Sequence, residues 1–322
     1  MAGYFGYGNA GDELIRRTLL QNLRNVSWTV LSGSADRWNP LFLAKIFRRC
    51  QALILGGGDL FQVRTSRRSL LYYLVLILWA RLWGCRVYAY GVGLDPTLPA
   101  WARWMVGKVL AQTQGLWARD ERSADIFRQV GLSPSLVPDS VWAWPVAPAP
   151  WPSSKKRVLW ILRFADDASK KVHRWTDRLN GLAQSNREQG FLALHPREDM
   201  ASLAHLRAGL RFFHRLELWD QLDQIPEIMK RYDVVVSLRF HGIVGAVLAH
   251  RPCVAVADHE KVSVLARTLG IPSFSGDVDA PVLENALAQA WAMDERILAA
   301  RREQLQKEAQ AGLASLERFF VS

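Results

Sequence analysis

An arginine and a histidine lie two positions apart at the end of a strongly apolar segment in the second half of the chain. The predicted strand Val234–Ser237 leads into Arg239 and His241, and a helix rich in small residues is predicted directly after them. The planar guanidinium of arginine matches a carboxylate or a phosphate, and a helix N-terminus adds a positive dipole at the same place. Because histidine changes charge near neutral pH, His241 is a candidate general acid or base beside that anion. The alternative is a surface arginine and a histidine that only hydrogen-bonds a backbone carbonyl. It explains the pattern less well, because both residues directly follow a predicted buried strand.

Two further basic residues are predicted at the same edge of the same sheet. Arg163 follows one predicted strand and Lys261 follows another, as Arg239 follows its own. All three therefore come after the carboxyl end of a strand, where ligands bind in open α/β folds, and we expect them to converge on one crevice with His241. Three cations and one imidazole suit a small anion that carries both a phosphate and a carboxylate. Taken singly, each of these side chains is ordinary surface charge, so their shared position carries the prediction.

A glycine-rich segment that starts at Gly6 fits the G-x-G-x-x-G spacing of dinucleotide-binding loops. Only five residues precede Gly6, too few for the strand that such a loop needs, and Asp12 and Glu13 would repel a pyrophosphate. A nicotinamide enzyme is therefore disfavoured. One alternative is a pocket in which Asn9 and Asp12 bind hydroxyl groups. The other is that the acidic residues simply complement a helix dipole, and the spacing does not separate the two.

A second run of glycines, Gly56–Gly58, directly follows another apolar strand. We expect these glycines to form a sharp turn from strand to helix with exposed N–H groups. Gly58 is a candidate for close approach of a ligand to the backbone, and simple turn chemistry is equally compatible. Arg64, Arg67 and Arg68 follow in a predicted polar loop that could meet a phosphate, although a basic run is usually a solvated surface.

The remaining pattern predicts an α/β chain of two domains. Short apolar segments alternate with longer amphipathic ones, as in a doubly wound parallel sheet covered by helices on both faces. No charged residue occurs from Ser140 to Ser154, and the four prolines in that segment predict a stiff, extended linker. We therefore predict two Rossmann-like domains, with a cleft between them at the carboxyl ends of both sheets. Their predicted bounds are residues 1–144 and 157–322, joined by a proline-rich linker at 145–156.

The individual elements are predicted from the period of their apolar residues. The predicted strands are 28–31, 52–55, 86–90, 115–118, 157–162, 191–194, 234–237 and 253–257. The predicted helices are 12–25, 69–83, 99–113, 123–130, 219–230 and 242–249, with a long helical pattern at 280–322 that we assign to the second domain.

Length and composition exclude several classes of protein. Half of the 322 residues are hydrophobic, which excludes a disordered chain. The longest apolar run has 11 residues, against roughly 20 for a membrane-spanning helix, and no secretory signal is evident. Three scattered cysteines predict neither a disulfide framework nor a zinc site, and the other histidines lack metal-ligand spacing. These features predict a reducing, cytoplasmic compartment.

The net charge of +11 and the 14 tryptophans suggest a polyanionic partner or an anionic membrane surface. A purely membrane-binding module without catalysis is one alternative to an enzyme. A genome-wide preference for basic residues and tryptophan would give the same composition, which would then carry no functional information. The segment 70–83 is a candidate membrane contact, but its apolar residues occur nearly all round the helix, which favours a buried core helix. Nucleic-acid binding is not expected, because the basic residues are dispersed and no such motif is present.

An ordered set of motifs extends from the N-terminus to the last quarter of the chain. They are Gly3–Gly6 with Asn9, Gly11–Glu13, Gly56–Gly58 with Phe61 and Gln62, Thr65–Ser66, Ser69–Leu70 with Tyr72 and Tyr73, Gly91–Gly93, Arg119–Asp120 with Ser123, Pro138–Asp139, Arg163, Pro196 with Asp199, Arg239–His241, and Lys261–Val262. This set resembles the polysaccharide pyruvyl transferase family, close to its bacterial cell-wall branch, often called CsaB. The chain departs from the family in two places. At Asp258–Val262 the family often has Tyr-Asp-Pro-Lys-Val, of which the lysine is retained, and the first strand of the family is nearly absent.

The resemblance implies a glycosyltransferase-B-like architecture and transfer of a pyruvyl group from phosphoenolpyruvate to a sugar, which forms a cyclic ketal and releases phosphate. No metal and no organic cofactor are implied. In the cell-wall branch the acceptor is a lipid-linked glycan precursor that contains N-acetylmannosamine, its product helps to anchor surface-layer proteins, and the enzyme would contact the inner face of the membrane. The nearest alternative enzyme is a glycosyltransferase of the same architecture with a nucleotide-sugar donor.

Roles for the candidate residues follow from this chemistry. We expect phosphoenolpyruvate to be bound by Arg163, Arg239, His241 and Lys261. The acceptor is expected at Asn9, Asp12 and Gly58. We expect His241 to move the proton. Stabilisation of the departing phosphate is expected from Arg163, Arg239 and Lys261, and Asn9 and Asp12 are expected to orient or deprotonate the sugar hydroxyls.

Overall fold

The computed structural model describes residues 1–33, 35–63, 66–164, 168–182, 187–212 and 214–321. The chain divides into two compact units, one made of Met1–Trp144 with Leu305–Ser322 and the other of Pro145–Gln304. Each unit is a parallel sheet with helices between successive strands. The predicted α/β class with two Rossmann-like sheets is therefore confirmed. None of the helices in the described ranges is long and apolar enough to cross a membrane.

The first unit is built on a parallel sheet with the order β1-β2-β3-β4. Side chains of Asn9, Ser66 and Asp120 accept backbone N–H groups at the starts of α1, α3 and α5, which sets where these helices begin. The elements are α1 (Ala10–Asn22), α2 (Pro40–Phe47), β1 (Ala52–Phe61), α3 (Arg67–Leu82), β2 (Arg86–Leu94), α4 (Ala100–Leu110), β3 (Gly115–Ala118), α5 (Glu121–Gln129) and β4 (Ser135–Leu136).

The N-terminal edge of this sheet is reduced to single bridges. Ala2 pairs in parallel with Leu31 on one side and with Leu55 of β1 on the other. The prediction of a strand at 28–31 is therefore wrong, since only its last residue, Leu31, forms a β-bridge. Backbone hydrogen bonds from Ala2 to Ile54 and from Gly56 to Ala2, 2.8 and 2.9 Å long, hold this short segment against β1.

The glycines at 56–58 do not form the predicted turn, because β1 continues through them. Gly57 and Gly58 have φ angles of 70° and 81°, and the pairing with β2 shifts register beyond Gly58. A Cβ atom at Gly57 would lie 2.9 Å from Ile15 of α1. The glycines therefore let α1 pack directly on the strand, and tertiary packing rather than turn formation explains their presence.

The second unit has a parallel sheet with the order β10-β9-β8-β5-β6-β7. The direction of winding reverses between β5 and β8, as in doubly wound nucleotide-binding folds. The strands β5, β8 and β9 are buried along nearly their whole length. The elements are β5 (Arg157–Ile161), α6 (Ala168–Leu182), β6 (Glu188–Leu192), α7 (Pro196–Ala208), β7 (His214–Glu217), α8 (Gln224–Lys230), β8 (Val234–Ser237), α9 (Phe240–Leu248), β9 (Cys253–Val256), α10 (Glu260–Leu269), β10 (Ser273–Phe274), α11 (Ala280–Trp291) and α12 (Glu295–Val321).

The terminal helical pattern forms two helices, α11 and α12, and the end of α12 belongs to the first unit rather than to the second as predicted. The indole N–H of Trp117 donates to the hydroxyl of Ser315 at 3.1 Å. The rings of Phe319 and Phe320 lie 5.1 and 5.3 Å from the ring of Tyr88. Aromatic packing on the β2–β3 region therefore determines where the last turns of α12 lie.

The proline-rich segment 145–156 has the irregular backbone predicted for a linker, but side chains of the second unit hold it in place. The ring nitrogen Nδ1 of His250 lies 2.9 Å from the carbonyl oxygen of Ala149. The hydroxyl of Ser154 donates to the buried carboxylate of Asp233 at 2.6 Å. The segment is therefore part of the second unit.

Candidate functional site

Two arginines follow the neighbouring strands at which the second sheet reverses its winding. Arg163 comes two residues after β5, and Arg239 comes two residues after β8. In doubly wound sheets the crevice outside the carboxyl ends of these two strands is the place where ligands bind. The fold therefore places both arginines at the position where an anion would be expected.

The carboxylate of Glu198 lies between these arginines. One of its oxygens is 3.6 Å from Nη2 of Arg163 and 3.8 Å from Nη2 of Arg239. The same oxygen is 2.8 Å from Nδ1 of His195. Because Glu198 belongs to the first turn of α7, which follows β6, three adjacent strands each contribute to this cluster. We call Arg163, Glu198, Arg239 and His195 the anion cluster.

The surroundings of Glu198 keep it ionised although it is only 46% exposed. Partial burial by itself raises the pKa of this carboxyl group. The hydrogen bond with His195 and the electrostatic interactions with His195, Arg163 and Arg239 outweigh that effect, so the pKa of Glu198 lies below its usual value. The cluster thus already holds one negative charge against its cations.

Arg239 is held in place through both its side chain and its backbone. The carboxylate of Asp199, only 1% exposed, pairs with its guanidinium group and also accepts the backbone N–H of His195 at 2.9 Å. The hydroxyl of Ser237 accepts the N–H of Arg239 at 3.0 Å and donates to its carbonyl at 2.9 Å. These bonds fix the guanidinium before any ligand arrives, which is what preorganised anion binding requires.

His241 and Lys261 each lie in the first turn of a helix that begins at this edge of the sheet. His241 is in α9, for which Arg239 is the N-cap residue, and its ring meets that of Phe240 edge-on at 5.2 Å. Lys261 is in α10, which follows β9, the neighbour of β8. The N-termini of α7, α9 and α10 therefore lie at the carboxyl ends of β6, β8 and β9 in one sheet, and their dipoles add positive potential there.

Sequence reasoning missed His195 and Glu198. In the sequence, His195 has no metal-ligand spacing, and Asp199 is indicated only by the family resemblance. A usable signal was present, because Pro196 at the first position of a helix, followed by two acidic residues, marks a helix N-terminus after β6. The contact with Arg163 and Arg239 depends on strand order, which the local sequence does not contain.

In the first unit, the structure brings Asp12 and Gly58 together. A Cβ atom at Gly58 would lie 3.3 Å from a carboxylate oxygen of Asp12. The side-chain oxygen of Asn9 accepts the N–H of Gly11 at 3.1 Å as the cap of α1. Asn9 therefore has a structural role, whereas the Asp12 carboxylate stands directly over the Gly58 backbone.

The neighbouring acidic residue, Glu13, has a different task. Its carboxylate accepts the backbone N–H of Gly6 at 2.5 Å and pairs with Arg16 at 2.9 Å. Glu13 therefore fixes the glycine-rich loop that precedes α1. The two acidic residues of the first turn of α1 are thus not equivalent.

A second ion pair lies at the carboxyl ends of β1 and β3. The buried guanidinium of Arg119 is 2.7 Å from the partly exposed carboxylate of Asp59. Burial lowers the pKa of Arg119, but the carboxylates of Asp59, Asp120 and Asp139 outweigh it and raise the pKa above its usual value. Arg119 therefore stays charged and fixes Asp59 at the end of β1.

The predicted arginine loop lies partly within a helix. Arg67 and Arg68 form the first turn of α3 and are exposed, so their placement in a loop is wrong. Their positions follow from Ser66, which caps the helix by accepting the N–H of Arg68 at 3.0 Å. Arg64 and Thr65 lie outside the described residues.

The fold is similar over nearly the whole chain to solved sugar-nucleotide proteins. A putative UDP-N-acetylglucosamine 2-epimerase from Listeria monocytogenes has a TM-score of 0.63 at 10% identity, covering 99% of this chain and 96% of that one. MnaA of S. aureus, solved with UDP, has a TM-score of 0.63 at 11% identity and coverages of 100% and 96%. HepE of Anabaena, in complex with UDP-glucose, has a TM-score of 0.59 at 12% identity and coverages of 99% and 97%. These likenesses show a glycosyltransferase-B-like fold.

Sequence comparison identifies the family. No curated protein matches this chain. The profile described as polysaccharide pyruvyl transferase matches residues 9–260, a range that includes both the Asp12 region and the anion cluster. That range is well over half of the 322 residues, and the chain therefore belongs to the polysaccharide pyruvyl transferase family.

Proposed function

We propose that this protein transfers a pyruvyl group from phosphoenolpyruvate to two hydroxyl groups of a sugar. The observation that carries the proposal is the convergence of Arg163 and Arg239 on one carboxylate, Glu198, at the winding reversal of the second sheet. Guanidinium groups that hold a carboxylate in this way can also hold the carboxylate or phosphate of a small donor. Membership of the family supports the reaction class.

The donor would displace the Glu198 carboxylate from the two arginines and bind them in its place. Phosphoenolpyruvate carries a phosphate and a carboxylate, so it offers more negative charge than the single carboxylate that it displaces. Lys261 and the helix N-termini beside it would add positive potential for the second anionic group. Asp199 would keep Arg239 in position throughout, because it contacts the guanidinium from the buried side.

In the reaction, a proton adds to the methylene carbon of phosphoenolpyruvate and makes it a methyl group, while positive charge develops at C2. One sugar hydroxyl attacks C2 and loses its proton, and the bond from C2 to the phosphate oxygen breaks. The second hydroxyl then attacks C2, loses its proton and closes the cyclic ketal. We assign the first proton transfer to His241, and stabilisation of the departing phosphate to Arg163, Arg239 and Lys261.

We assign the acceptor to the first unit. The Asp12 carboxylate, which stands over Gly58, is placed to accept a hydrogen bond or a proton from a sugar hydroxyl. Gly58 keeps the backbone open beside that carboxylate, and Asn9 caps the helix that carries Asp12. We further propose that the acceptor is N-acetylmannosamine in a lipid-linked cell-wall precursor, that the protein meets it at the inner face of the membrane, and that the product serves surface-layer anchoring.

The test is release of inorganic phosphate from phosphoenolpyruvate in the presence of candidate glycan acceptors. His241→Ala should abolish release while the thermal unfolding curve stays close to that of the parent protein. His205→Ala is the matched control, because His205 is an exposed histidine on α7 that touches none of the proposed machinery. Turnover of His241→Ala at the parent rate would remove His241 from the mechanism.

A nucleotide-sugar glycosyltransferase is the alternative, favoured by the fold shared with proteins solved with UDP or UDP-glucose. The two reactions differ in the ligand that protects the protein from thermal unfolding. We expect protection by phosphoenolpyruvate, and we expect Arg239→Ala to abolish it. Protection by UDP alone, with no phosphate release from phosphoenolpyruvate, would establish the alternative. Arg267→Ala, an exposed arginine at the end of α10, is the control.

A further inference from the structure

Helix α3 carries a stripe of apolar side chains on its outer face. Leu71, Val75, Leu78 and Leu82 recur at intervals of three or four residues and are all exposed, with Val75 at 51% and Leu78 at 42%. The inner face is formed by other apolar residues that are buried against the sheet. The helix is therefore apolar nearly all round, as predicted, but the prediction that it is simply a buried core helix is wrong for its outer face.

The helices on either side of α3 extend this stripe. On α4, Trp101 and Trp104 are exposed, Trp104 at 63%. Because β1, β2 and β3 are adjacent and parallel, the right-handed connections through α3 and α4 place both helices on one side of the sheet. On the other side of α3, Trp38 beside α2 packs against Tyr72 with ring centres 4.8 Å apart and the ring planes tilted by 57°.

Exposed apolar side chains are concentrated on this layer of helices. Of the sixteen large hydrophobic residues that are exposed in the described part of the chain, ten lie between residues 38 and 104. They are Trp38, Leu41, Phe42, Leu71, Val75, Leu78, Leu82, Trp83, Trp101 and Trp104. We call this set, on and beside α2, α3 and α4, the apolar face.

The net positive charge is concentrated in the same part of the chain. Residues 37–119 contain twelve lysines and arginines but only two acidic residues, so they carry ten of the eleven net charges. The three helices themselves contain no acidic residue. Arg67 and Arg68 are exposed at one end of α3, Arg81 at its other end, and Lys45 and Lys108 on the neighbouring helices.

We propose that the apolar face docks on the surface of an anionic phospholipid bilayer. Tryptophan and leucine side chains bordered by arginine and lysine fit the boundary between acyl chains and headgroups, where apolar and positively charged groups are both stabilised. A second copy of this chain fits the face poorly. A symmetric dimer would bring two strongly positive surfaces together without acidic residues to oppose them.

The inference deepens the proposed function, on which it rests only for the identity of the acceptor. Because α3 follows the carboxyl end of β1, its first turn with Arg67 and Arg68 lies towards the edge of the sheet that carries Asp12 and Gly58. A bilayer against the apolar face would therefore lie beside the acceptor end of the first unit. A sugar attached to a membrane lipid would then reach that end without leaving its leaflet.

Co-sedimentation of the full-length protein with vesicles tests the inference. We expect binding to vesicles of phosphatidylcholine with phosphatidylglycerol, and much weaker binding to phosphatidylcholine alone. Val75→Glu with Leu78→Glu should lower the partition coefficient at least tenfold, while Ile297→Glu, at a site 59% exposed on α12, should leave it unchanged. Thermal unfolding of each variant shows whether it is folded.

The electrostatic contribution has its own matched pair of variants. Arg67→Glu with Arg68→Glu should lower the partition coefficient by about fivefold or more per residue, since each basic residue near an anionic surface contributes about that factor. Lys155→Glu with Lys156→Glu makes the same change in total charge on the second unit and should have little effect. Added salt should weaken binding of the parent protein.

Three results would overturn the inference: equal binding to neutral and anionic vesicles, equal losses in the control variants, or absence of vesicle binding in a protein that self-associates through the apolar face. Self-association would appear in sedimentation as a dimer that Val75→Glu with Leu78→Glu converts to a monomer. Because vesicle binding needs no donor, it can succeed while phosphate release fails, which would reject the proposed function alone. Phosphate release with a water-soluble acceptor and no vesicle binding would reject the docking alone.

Discussion

Replacing Glu198 by glutamine should strengthen the binding of an anionic donor. Glu198 is the negative group that Arg163 and Arg239 share in the structure, so a donor must compete with it for both guanidinium groups. The amide of glutamine has nearly the same shape but no charge. We therefore expect Glu198→Gln to bind phosphoenolpyruvate and inorganic phosphate more tightly than the parent protein.

The size of the effect follows from two ion pairs, 3.6 and 3.8 Å long. Glu198 and Arg163 are each more than two-fifths exposed, so solvent screens the attraction and each pair contributes only about 0.2–1 kcal/mol. Loss of both pairs should lower the dissociation constant by about twofold to thirtyfold. Because Glu198 is half exposed, the free energy of unfolding should change by less than about 1 kcal/mol.

Isothermal titration with phosphoenolpyruvate measures this effect without any acceptor. The neighbouring carboxylate provides an opposite control, since Asp199 is buried and holds Arg239 in position. Asp199→Asn should weaken donor binding and lower the free energy of unfolding by about 3–5 kcal/mol, because it leaves a buried charge without its partner. Salt should reduce the gain in Glu198→Gln, because a half-exposed pair is screened.

Two outcomes would refute this reasoning. If Glu198→Gln binds phosphoenolpyruvate more weakly than the parent protein, Glu198 is a ligand of the donor rather than its competitor. If the variant binds with unchanged affinity at low salt, Arg163 and Arg239 are not the donor site.

Three further predictions concern stability and reactivity. Asp233→Asn should lower the free energy of unfolding by about 2–4 kcal/mol at pH 7, measured by denaturant titration. Burial raises the pKa of the Asp233 carboxyl group, but the hydrogen bonds that it accepts outweigh burial and lower the pKa. The difference in stability between the parent protein and the variant should therefore shrink as the pH falls below about 4. Gly57→Ala, at a φ of 70° against α1, should cost about 2–4 kcal/mol in the same assay, and Gly84→Ala, at a φ of 78° with open space around it, only about 1 kcal/mol. Burial raises the pKa of Cys253 to about 12, so mass spectrometry after treatment with a thiol reagent at pH 8 should find label on Cys50 but none on Cys253 until the chain unfolds.

The strands of the second sheet could be predicted from sequence because their burial makes them continuous apolar runs. Val234–Ser237 and Cys253–Val256 occur within a residue of where the pattern places them. Their partners could not be predicted, because the order of strands in a sheet depends on contacts between distant segments. For that reason the positions of Arg163 and Arg239 were expected, whereas the carboxylate of Glu198 between them was not.

The sequence of the glycines at 56–58 predicts a turn, whereas the structure forms a strand there, because glycine permits both structures. The same absence of a side chain allows a tight turn and a close approach of two elements. Ile15, more than forty residues earlier, decides between them by packing against Gly57. In the same way, the long pattern at 280–322 has one helical period throughout. Contacts with Tyr88 and Trp117, far away in the sequence, place its end in the first unit.

The central claim is that this chain consumes phosphoenolpyruvate and joins its pyruvyl group to a sugar as a ketal. Mass spectrometry of an N-acetylmannosamine-containing acceptor, incubated with the protein and phosphoenolpyruvate, tests it most directly. We predict one added pyruvyl group per acceptor, inorganic phosphate released in equal amount, and neither product with Arg239→Ala. Transfer of a sugar from a nucleotide donor to the same acceptor, with phosphoenolpyruvate left intact, would contradict the account.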